Sequence, residues 1–434
     1  MKPAQQLTLD SAAFVRNRPA LAAVDEPAVI ESATGEFIVG EFFAGIGLAR
    51  LGLESAGAKF KVAWANDLDS DKQGMYEGNF NDERSHYHLE DIRTVAEDIV
   101  RAKVPTDLSL AWASFPCTDL SLAGGRQGLA GRHSSTFWDF ALVLERLGAR
   151  RPPVVAIENV NGFATSHSGN DIKAAVARLN DLGYSVDVLT LDARRWVPQS
   201  RPRLFLVAVF ERYLEDVKLD ERTGTQLRPV WLDRVLNDPD LITHRTLLNE
   251  DDPDVLPPLG STGWTKVVSE LERKIREKKL PEPKKKIDWW DEARTKRFTD
   301  ELSEFQKSRI AALEAGEARN QPVYRTAYRR TRDHKPAWEI RADDVAGCLR
   351  TARGGSSKQA VVEIKSGEPL RVRWMTGREY AALMGAPEYV LPDNPNRAIM
   401  GFGDAVCVDA VRWLAANYLA PLLDRTLAAA QQSF

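Results

Sequence analysis

A chain of 434 residues with 43% hydrophobic and 28% charged side chains has room for two domains, or for one large domain carrying an insertion, and its composition excludes disordered and fibrous classes. The formal net charge of -3 requires any nucleic-acid binding to use a local basic face. The three cysteines, Cys117, Cys348 and Cys407, lie far apart, which excludes a disulfide framework and a CxxC zinc cluster. No apolar run between Met1 and about Ile30 suits a signal sequence, and none later approaches the ~20 apolar residues of a bilayer span, so a soluble cytoplasmic chain with no membrane partner is expected.

Residues 1–35 read as an N-terminal tail with no assigned function. From Glu36 a strand over 37–43 runs into the tight turn Ala44-Gly45-Ile46-Gly47, and 48–56 has helical periodicity. Strand, glycine turn and helix together let a backbone approach a nucleotide-like cofactor at a helix N-terminus. The third glycine of the dinucleotide fingerprint is missing, since Leu48, Ala49 and Arg50 follow, which disfavours a pyrophosphate cofactor and leaves a smaller adenosine cofactor open. The strand over 61–65 ends in Asn66-Asp67-Leu68-Asp69, with Asp67 about 20 residues beyond the turn, the spacing of a ribose-binding carboxylate; capping of the next helix by Asp67 or Asp69 is the alternative. Asp91 stands where a third, poorly marked strand should end and suits an adenine amino group.

The apolar run 108–113 reads as a buried strand that stops at Ser114-Phe115-Pro116-Cys117, ahead of a Gly-rich basic loop, 124–133. A free Cys is often only a small buried hydrophobe, but at a strand's carboxyl end it is placed for chemistry. After a helix over 137–147 the strand 154–157 ends in Glu158-Asn159-Val160, and a carboxylate there is costly unless used or paired. A helix over 171–183 and a strand over 185–191 precede Arg201 and Arg203, whose i, i+2 spacing points both the same way when extended, and a strand over 204–210 closes the run.

Phe43-Ala44-Gly45-Ile46-Gly47, Phe115-Pro116-Cys117, Glu158-Asn159-Val160 and Gln199-Ser200-Arg201-Pro202-Arg203 stand in the order and spacing of the cytosine-C5 DNA methyltransferases, and the chain resembles that family in its bacterial or phage type. Residues 349–355 resemble its ninth motif and 400–406 its tenth. The resemblance implies an α/β fold, a Rossmann-like S-adenosylmethionine-dependent methyltransferase sheet with an inserted target-recognition domain. The catalytic domain would span 36–210, the recognition domain 211–394, and residues 395–434 would return to the catalytic domain. It implies Cys117 as nucleophile, aimed by Pro116, with Glu158 at N3 of the cytosine, Arg203 at O2 and Arg201 positioning backbone or loop. S-adenosylmethionine would lie against Phe43, Ala44, Gly45, Gly47, Asp67, Leu68, Asp91, Ile92, Asp404 and Ala405, and DNA against Ser121, Arg126, Gln199, Arg325, Arg329, Arg330 and Arg353. Departures are Glu41 for the usual Asp, Leu48 for a common Gly, Glu90 for the Gly before Asp91, His133 near a usual Arg, and Asp404 for the common Asn, which puts details of cofactor contact in question.

The charged stretch 266–320 mixes both signs and reads as solvated helix surface, whereas Tyr324-Arg325-Thr326-Ala327-Tyr328-Arg329-Arg330-Thr331-Arg332 interleaves arginines, aromatics and hydroxyls without acids, as phosphate and groove contacts require. No histidine cluster has metal-ligand spacing, so no metal is expected. The expected activity is C5 methylation of a flipped-out cytosine in double-stranded DNA through a Cys117 adduct at C6, by a monomer near the bacterial nucleoid, with a cognate restriction or defence system as a partner. A tRNA cytosine methyltransferase, a silent DNA-binding regulator and, more remotely, a nicotinamide oxidoreductase are the other readings.

Overall fold

The computed structural model describes residues 35–57, 59–80, 86–116, 128–130, 135–215, 217–281, 287–332, 334–351 and 358–432. The apolar runs between 37 and 210 pair into one seven-stranded sheet in the order β3-β2-β1-β4-β5-β7-β6. Its strands are β1 (Phe37–Phe42), β2 (Phe60–Asp67), β3 (Tyr87–Leu89), β4 (Leu110–Ala113), β5 (Val154–Val160), β6 (Tyr184–Asp192) and β7 (Pro202–Phe210). The first five are parallel neighbours, while β7 runs antiparallel between β5 and β6. Helices α1 (Leu48–Glu54), α2 (Ser70–Glu77), α3 (Ile92–Glu97), α4 (Thr136–Leu147), α5 (Gly162–Thr165) and α6 (Asn170–Asp181) alternate with the strands. Burial of both faces explains why these strands read as continuous apolar runs rather than alternating ones. On α4, Phe137, Phe140, Ala141, Val143, Leu144 and Leu147 are buried, and Phe140 meets Phe42 edge-on with ring centroids 5.0 Å apart. Each such phenylalanine is worth roughly 1.5–3 kcal/mol of burial.

Register decides where the chemistry sits. Phe42 pairs with Asn66 and Ala113, Ala113 pairs with Ile157, and Asp67 pairs with Leu89. The carboxyl ends of β1 to β5 therefore share one edge, and the antiparallel β7 begins there with Pro202 and Arg203. That edge is the usual ligand side of an open α/β sheet.

Beyond Phe210 come α7 (Val230–Leu236), α8 (Trp264–Arg276), α9 (Glu292–Asp300) and α10 (Glu304–Ala315). A four-stranded antiparallel sheet follows in the order β11-β10-β8-β9, from β8 (Val323–Arg332), β9 (Lys335–Ile340), β10 (Gln359–Ile364) and β11 (Arg371–Trp374). Two-residue periodicity divides this sheet between two cores. Ala360, Val362 and Ile364 of β10 join Phe298, Ile310, Leu313 and Trp338 in a second core, while Val361 joins the large one. The buried residues of the second core lie between Phe298 and Val372, with Trp290, Leu370 and Trp374 packed against them. Tyr213, Leu227, Leu232 and Leu248, and again Tyr380, Leu383 and Tyr389, belong to the large core.

The chain closes with α11 (Gly377–Leu383), which opens on a Thr376/Glu379 capping box, then α12 (Pro395–Asp404), α13 (Val408–Leu414), a π-helical turn Ala415–Leu419 and α14 (Ala420–Gln432). By length and composition Pro395–Thr426 is apolar enough to cross a membrane, more than the sequence reading credited, yet 72% of its apolar window is buried inside the fold, as in a core helix.

The π turn carries Tyr418 into a buried polar network. Tyr418 Oη donates to Asp187 Oδ2 at 2.7 Å, Arg228 Nε donates to Asp187 Oδ1 at 2.8 Å, and His244 lies between Ser185 Oγ (3.0 Å) and Tyr418 Oη (3.3 Å). Burial alone would raise the Asp187 carboxyl, but the Arg228 charge and the bonds from Arg228 and Tyr418 hold it below the usual carboxylate range. Burial lowers His244, with Arg228 acting in the same direction and Asp187 against it. A histidine kept neutral by folding binds its proton first in the unfolded chain, so its contribution is lost as pH falls through the ordinary histidine range. His244→Gln should therefore make the melting temperature fall less steeply than wild type between pH 7.5 and pH 5.5, and parallel melting curves would show that His244 does not couple stability to protons.

Candidate active site and nucleic-acid interface

Between β1 and α1 the backbone takes the left-handed region at Phe43 (φ 58), Gly45 (φ 58) and Gly47 (φ 78). For Phe43 that is a strained conformation, as is common at functional turns. A Cβ at Gly47 would fall 2.4 Å from the Phe80 ring, whereas one at Gly45 would meet nothing nearer than Phe43 O at 4.0 Å, so Gly45 faces open space while Gly47 is a packing requirement. Ala44 N donates to Asn66 O at 2.8 Å. Asp67 accepts from Gly45 N and Asp69 N, each at 3.0 Å, and it is Asp69, not Asp67, whose side chain caps α2. Beside it Leu68 is 68% exposed. A carboxylate has about four acceptor sites, so Asp67 keeps capacity for ribose hydroxyls next to an apolar platform.

Asp91 caps α3 and is bridged by Arg93, whose bonds hold its carboxyl below the usual range; Ile92 is buried in the core and presents only backbone. Under the turn lies Glu41, where Arg50 N donates to Oε1 at 3.3 Å and Oε2 finds no donor among the described residues. Burial pushes its carboxyl up to about 8. The donor set, the open face at Gly45 and the strand-end carboxylates fit an adenosyl group.

At the other end of the edge, Glu158 pairs with Arg203, Nε to Oε1 2.9 Å. The register explains this: Val160 pairs with Arg203 and Glu158 with Phe205, which makes Glu158 and Arg203 diagonal neighbours on one face. Burial raises the Glu158 carboxyl, while Arg203, Arg201 and a bond from Ser114 pull against it without cancelling the rise. Asn159 Nδ2 donates to Phe115 O at 3.1 Å, which fixes the approach to Pro116. Cys117, Ser121, Arg126 and Arg353 lie outside the described residues.

Arg201 is 1% exposed and points into the protein. Its guanidinium donates to Leu349 O at 2.9 Å, Gly403 O at 3.2 Å and Ala405 O, joining the ninth- and tenth-motif stretches to the start of β7. Cys348 Sγ lies 3.4 Å from the same guanidinium. Asp404 forms an ion pair with Lys72 of α2 at 3.3 Å. Sequence reasoning missed Lys72, because its partner lies over 300 residues away and no local pattern marks it.

Two of the expected DNA contacts are corrected. Gln199 is fully buried, donating to Leu383 O at 2.6 Å and accepting from Leu349 N at 3.0 Å, so it serves the fold. Arg325 is 1% exposed, with its guanidinium held by Asp344, Glu317 and Tyr324 O, so it is no surface residue. Arg329 is held in a bidentate pair with Glu301, which offsets its charge. Arg330 is exposed, its guanidinium 4.5 Å from the Tyr328 ring centroid.

A mostly parallel sheet with a glycine turn and strand-end carboxylates on one edge is the fold of the S-adenosylmethionine-dependent methyltransferases. The sequence model of the C-5 cytosine-specific DNA methylases matches residues 37–419, and the chain belongs to that family, whose cofactor is S-adenosylmethionine. It is 32% identical over 155 residues to the type II methyltransferase M.HhaI of Haemophilus parahaemolyticus, covering 36% of this chain and 43% of that one. It is 29% identical over 203 residues to M.Bsp6I of Bacillus sp., covering 46% and 60%. The matches thus span about half the length of these relatives. Among solved structures, S. pombe Dnmt2 methyltransferase superposes with a TM-score of 0.52 at 16% identity, over 90% of this chain and 98% of that one. A prophage-encoded DNA modification methyltransferase of E. coli gives 0.50 at 18%, over 90% and 100%. At such identities the likeness is one of fold.

Replacing Arg201 by Met removes the donor from the buried Leu349 and Gly403 carbonyls and from the partly buried Ala405 carbonyl, which should cost roughly 3 kcal/mol or more. Thermal unfolding measures this, and an unchanged melting curve would mean that the far segments are held without it.

Proposed function

We propose that this chain methylates C5 of a cytosine flipped out of duplex DNA, with Cys117 as the nucleophile. The observation that carries the reading is the buried Glu158–Arg203 pair: Glu158 stands on β5, beside the strand β4 that leads through Ser114 to Pro116 and Cys117, and Arg203 on β7, the neighbour of β5 on its other side. Cytosine C5 is a poor nucleophile until electrons enter the ring. A bond from the Cys117 sulfur to C6 supplies them, and the ring then carries negative charge toward N3 and O2. Glu158, with its carboxyl raised by burial, shares a proton with N3, and the Arg203 guanidinium faces O2. S-adenosylmethionine supplies the methyl group at C5. Loss of the C5 proton then reforms the ring double bond and expels the Cys117 thiolate. Asp67, Leu68, Asp91 and the turn at Gly45 hold the adenosyl end, and Arg201 keeps the opposite wall in place.

The family description, DNA methylase, and the type II relatives favour DNA over RNA and a cognate restriction enzyme as the functional partner. Sequence preference resides in the inserted region, where the exposed Arg330 on β8 contacts phosphate. Double-stranded DNA carrying 5-fluorocytosine at the target, incubated with S-adenosylmethionine, should give a denaturation-resistant protein–DNA adduct, because fluorine cannot leave C5 as a cation. Cys117→Ala should abolish the adduct. Trapping on tRNA alone would overturn the DNA reading, and trapping on neither would overturn the chemistry. Glu158→Gln should slow turnover by about two orders of magnitude, the scale of losing one acid or charge-stabilising group. Arg330→Ala should weaken DNA binding and reduce the salt slope by about 1 without altering the melting curve, whereas an unchanged slope would move the DNA to another face.

A further inference from the structure

The turn between β1 and α1 leaves one carbonyl out of the helical ladder. In a regular helix Ile46 O would accept from the amide four residues on, but Arg50 N donates to Glu41 Oε1 at 3.3 Å, while the next rung, Leu51 N to Gly47 O at 3.0 Å, is formed. Ile46 is buried, so its carbonyl needs a donor from the protein. Tyr389 supplies one from 343 residues away: its hydroxyl lies 2.7 Å from Ile46 O and 2.9 Å from Met75 O, one proton shared between the turn and the last turn of α2. Tyr389 is itself held on both sides. Asn79 brackets Val390, Nδ2 to Val390 O at 3.1 Å and Oδ1 from Val390 N at 2.7 Å, and the Arg378 guanidinium of α11 donates to Pro387 O at 2.6 Å and Tyr389 O at 2.8 Å. Next to Arg378, Glu379 takes both ends of the Arg373 guanidinium at 2.8 Å each, and Arg373 stands on β11 of the four-stranded sheet. The first turn of α11 thus grips the inserted unit with one residue and the Tyr389 backbone with the one before it.

We infer that Tyr389 is a positioning residue for the cofactor turn and that the first turn of α11 couples this turn to the inserted unit, so that cofactor binding orders the β11–α11 junction; this rests on the reading of the Gly45 turn as the adenosyl site. Phe43 keeps its strained φ of 58° because its surroundings over-determine it, and Gly45 N must stay aimed at Asp67 Oδ2 for both to meet a ribose. Without the Tyr389 hydroxyl the buried Ile46 carbonyl loses this donor, and the turn relieves the loss by swinging, with Gly45 next in the chain. From the other end, a β11 that shifted against the large sheet must either leave Arg373 and Glu379 as separated buried charges or carry α11, and through Arg378 the 387–389 backbone, along with it. Turn and junction therefore open together, and a ligand that holds one closed holds the other. Attachment of α11 does not require this link, because its far end is docked separately by Gln199 Nε2 to Leu383 O at 2.6 Å and by Val408 N to Met384 O at 2.9 Å.

The test uses S-adenosylhomocysteine, which keeps the adenosyl group, on the full chain, with affinity read by calorimetry and backbone hydrogen exchange read at ligand saturation. In wild type the ligand should slow exchange about fivefold or more in the turn, 43–50, and in the junction, 371–380, the low end of coupling between sites, and less than about twofold in α10 of the same inserted unit. Tyr389→Phe deletes one oxygen; it should weaken S-adenosylhomocysteine roughly tenfold, the scale of a buried acceptor left unpaired, and abolish the slowing at 371–380 even at saturation. Glu379→Gln keeps the side-chain shape and should lose the slowing at the junction while binding the ligand within about threefold of wild type. Tyr184→Phe also deletes a buried hydroxyl, from Pro152 O at 2.7 Å, and should lower the melting temperature with affinity and exchange pattern as in wild type. Weakening of the ligand by Tyr184→Phe as much as by Tyr389→Phe would overturn the positioning role. A junction indifferent to ligand in wild type, or still slowed in Tyr389→Phe or Glu379→Gln, would overturn the coupling. Ligand bound by wild type without slowing of 43–50 would instead overturn the adenosyl reading of the Gly45 turn, and this inference with it.

Discussion

The Arg201 guanidinium gathers backbone carbonyls from segments 148 to 204 residues further along the chain, and the site exists because it does. Strands β1 to β5 and β7 supply one wall of a cleft by local sequence. The facing wall, residues 348–351 and 403–405, has no strand of the large sheet to hold it, and buried carbonyls without donors would make it untenable. Arginine suits this place because its five donors are spread in a fixed plane and it stays charged when buried, which a lysine in the same position would not do as dependably. Gln199, two residues earlier, repeats the device on Leu383 O and Leu349 N. The segment 199–203 therefore does structural work with alternate residues, while the diagonal position of Arg203 carries its charge to Glu158.

Two buried glutamates show how differently one chemical group can be treated along this edge. Both are raised by burial, but Glu158 has Arg203, Arg201 and Ser114 set against that rise, whereas among the described residues the Arg50 amide donates to Glu41 Oε1 and no donor reaches Oε2. An uncompensated carboxyl under a turn is cheapest when protonated, and with a pKa of about 8 it is neutral through most of the physiological range. Glu41 thus behaves as a polar packing residue for the Gly45 turn. Glu158 sits beside a guanidinium, yet burial prevails and holds its carboxyl above the ordinary range.

Much of this was legible in the sequence. The strands of the large sheet are marked by apolar runs, and the order of motifs places Gly45, Asp67, Glu158 and Arg203 on one edge, since each follows or begins a strand. β3 was faint because three residues carry little periodicity. The antiparallel insertion of β7 leaves no local signature either, since a doubly covered strand looks alike in both directions. Which core a residue joins is hidden for a related reason: Leu227 and Tyr380 are apolar in sequence whichever core they join, and only the fold assigns them. Pairings across the chain, Lys72 with Asp404 or Tyr418 with Asp187, were invisible because each partner alone is an ordinary surface or core residue.

The arginine-rich strand β8 shows what composition cannot say about a nucleic-acid face. Its acid-free run of arginines reads as a strip of positive charge, but the fold brings Asp344 and Glu317 to Arg325, Glu301 to Arg329 and Glu339 to Arg332. Among the described residues Arg330 is the one of these four arginines with no carboxylate within ion-pair distance, and it lies over Tyr328 instead. Strand geometry is the cause: neighbours in sequence alternate sides, so each arginine meets a different set of acids and the acids come from elements remote in sequence. In a chain of net charge -3 such pairing leaves little long-range attraction to DNA. The unit that carries β8 has an aromatic core of its own, in which Trp290, Phe298, Trp338 and Trp374 interlock at centroid distances of 5.1 to 6.0 Å.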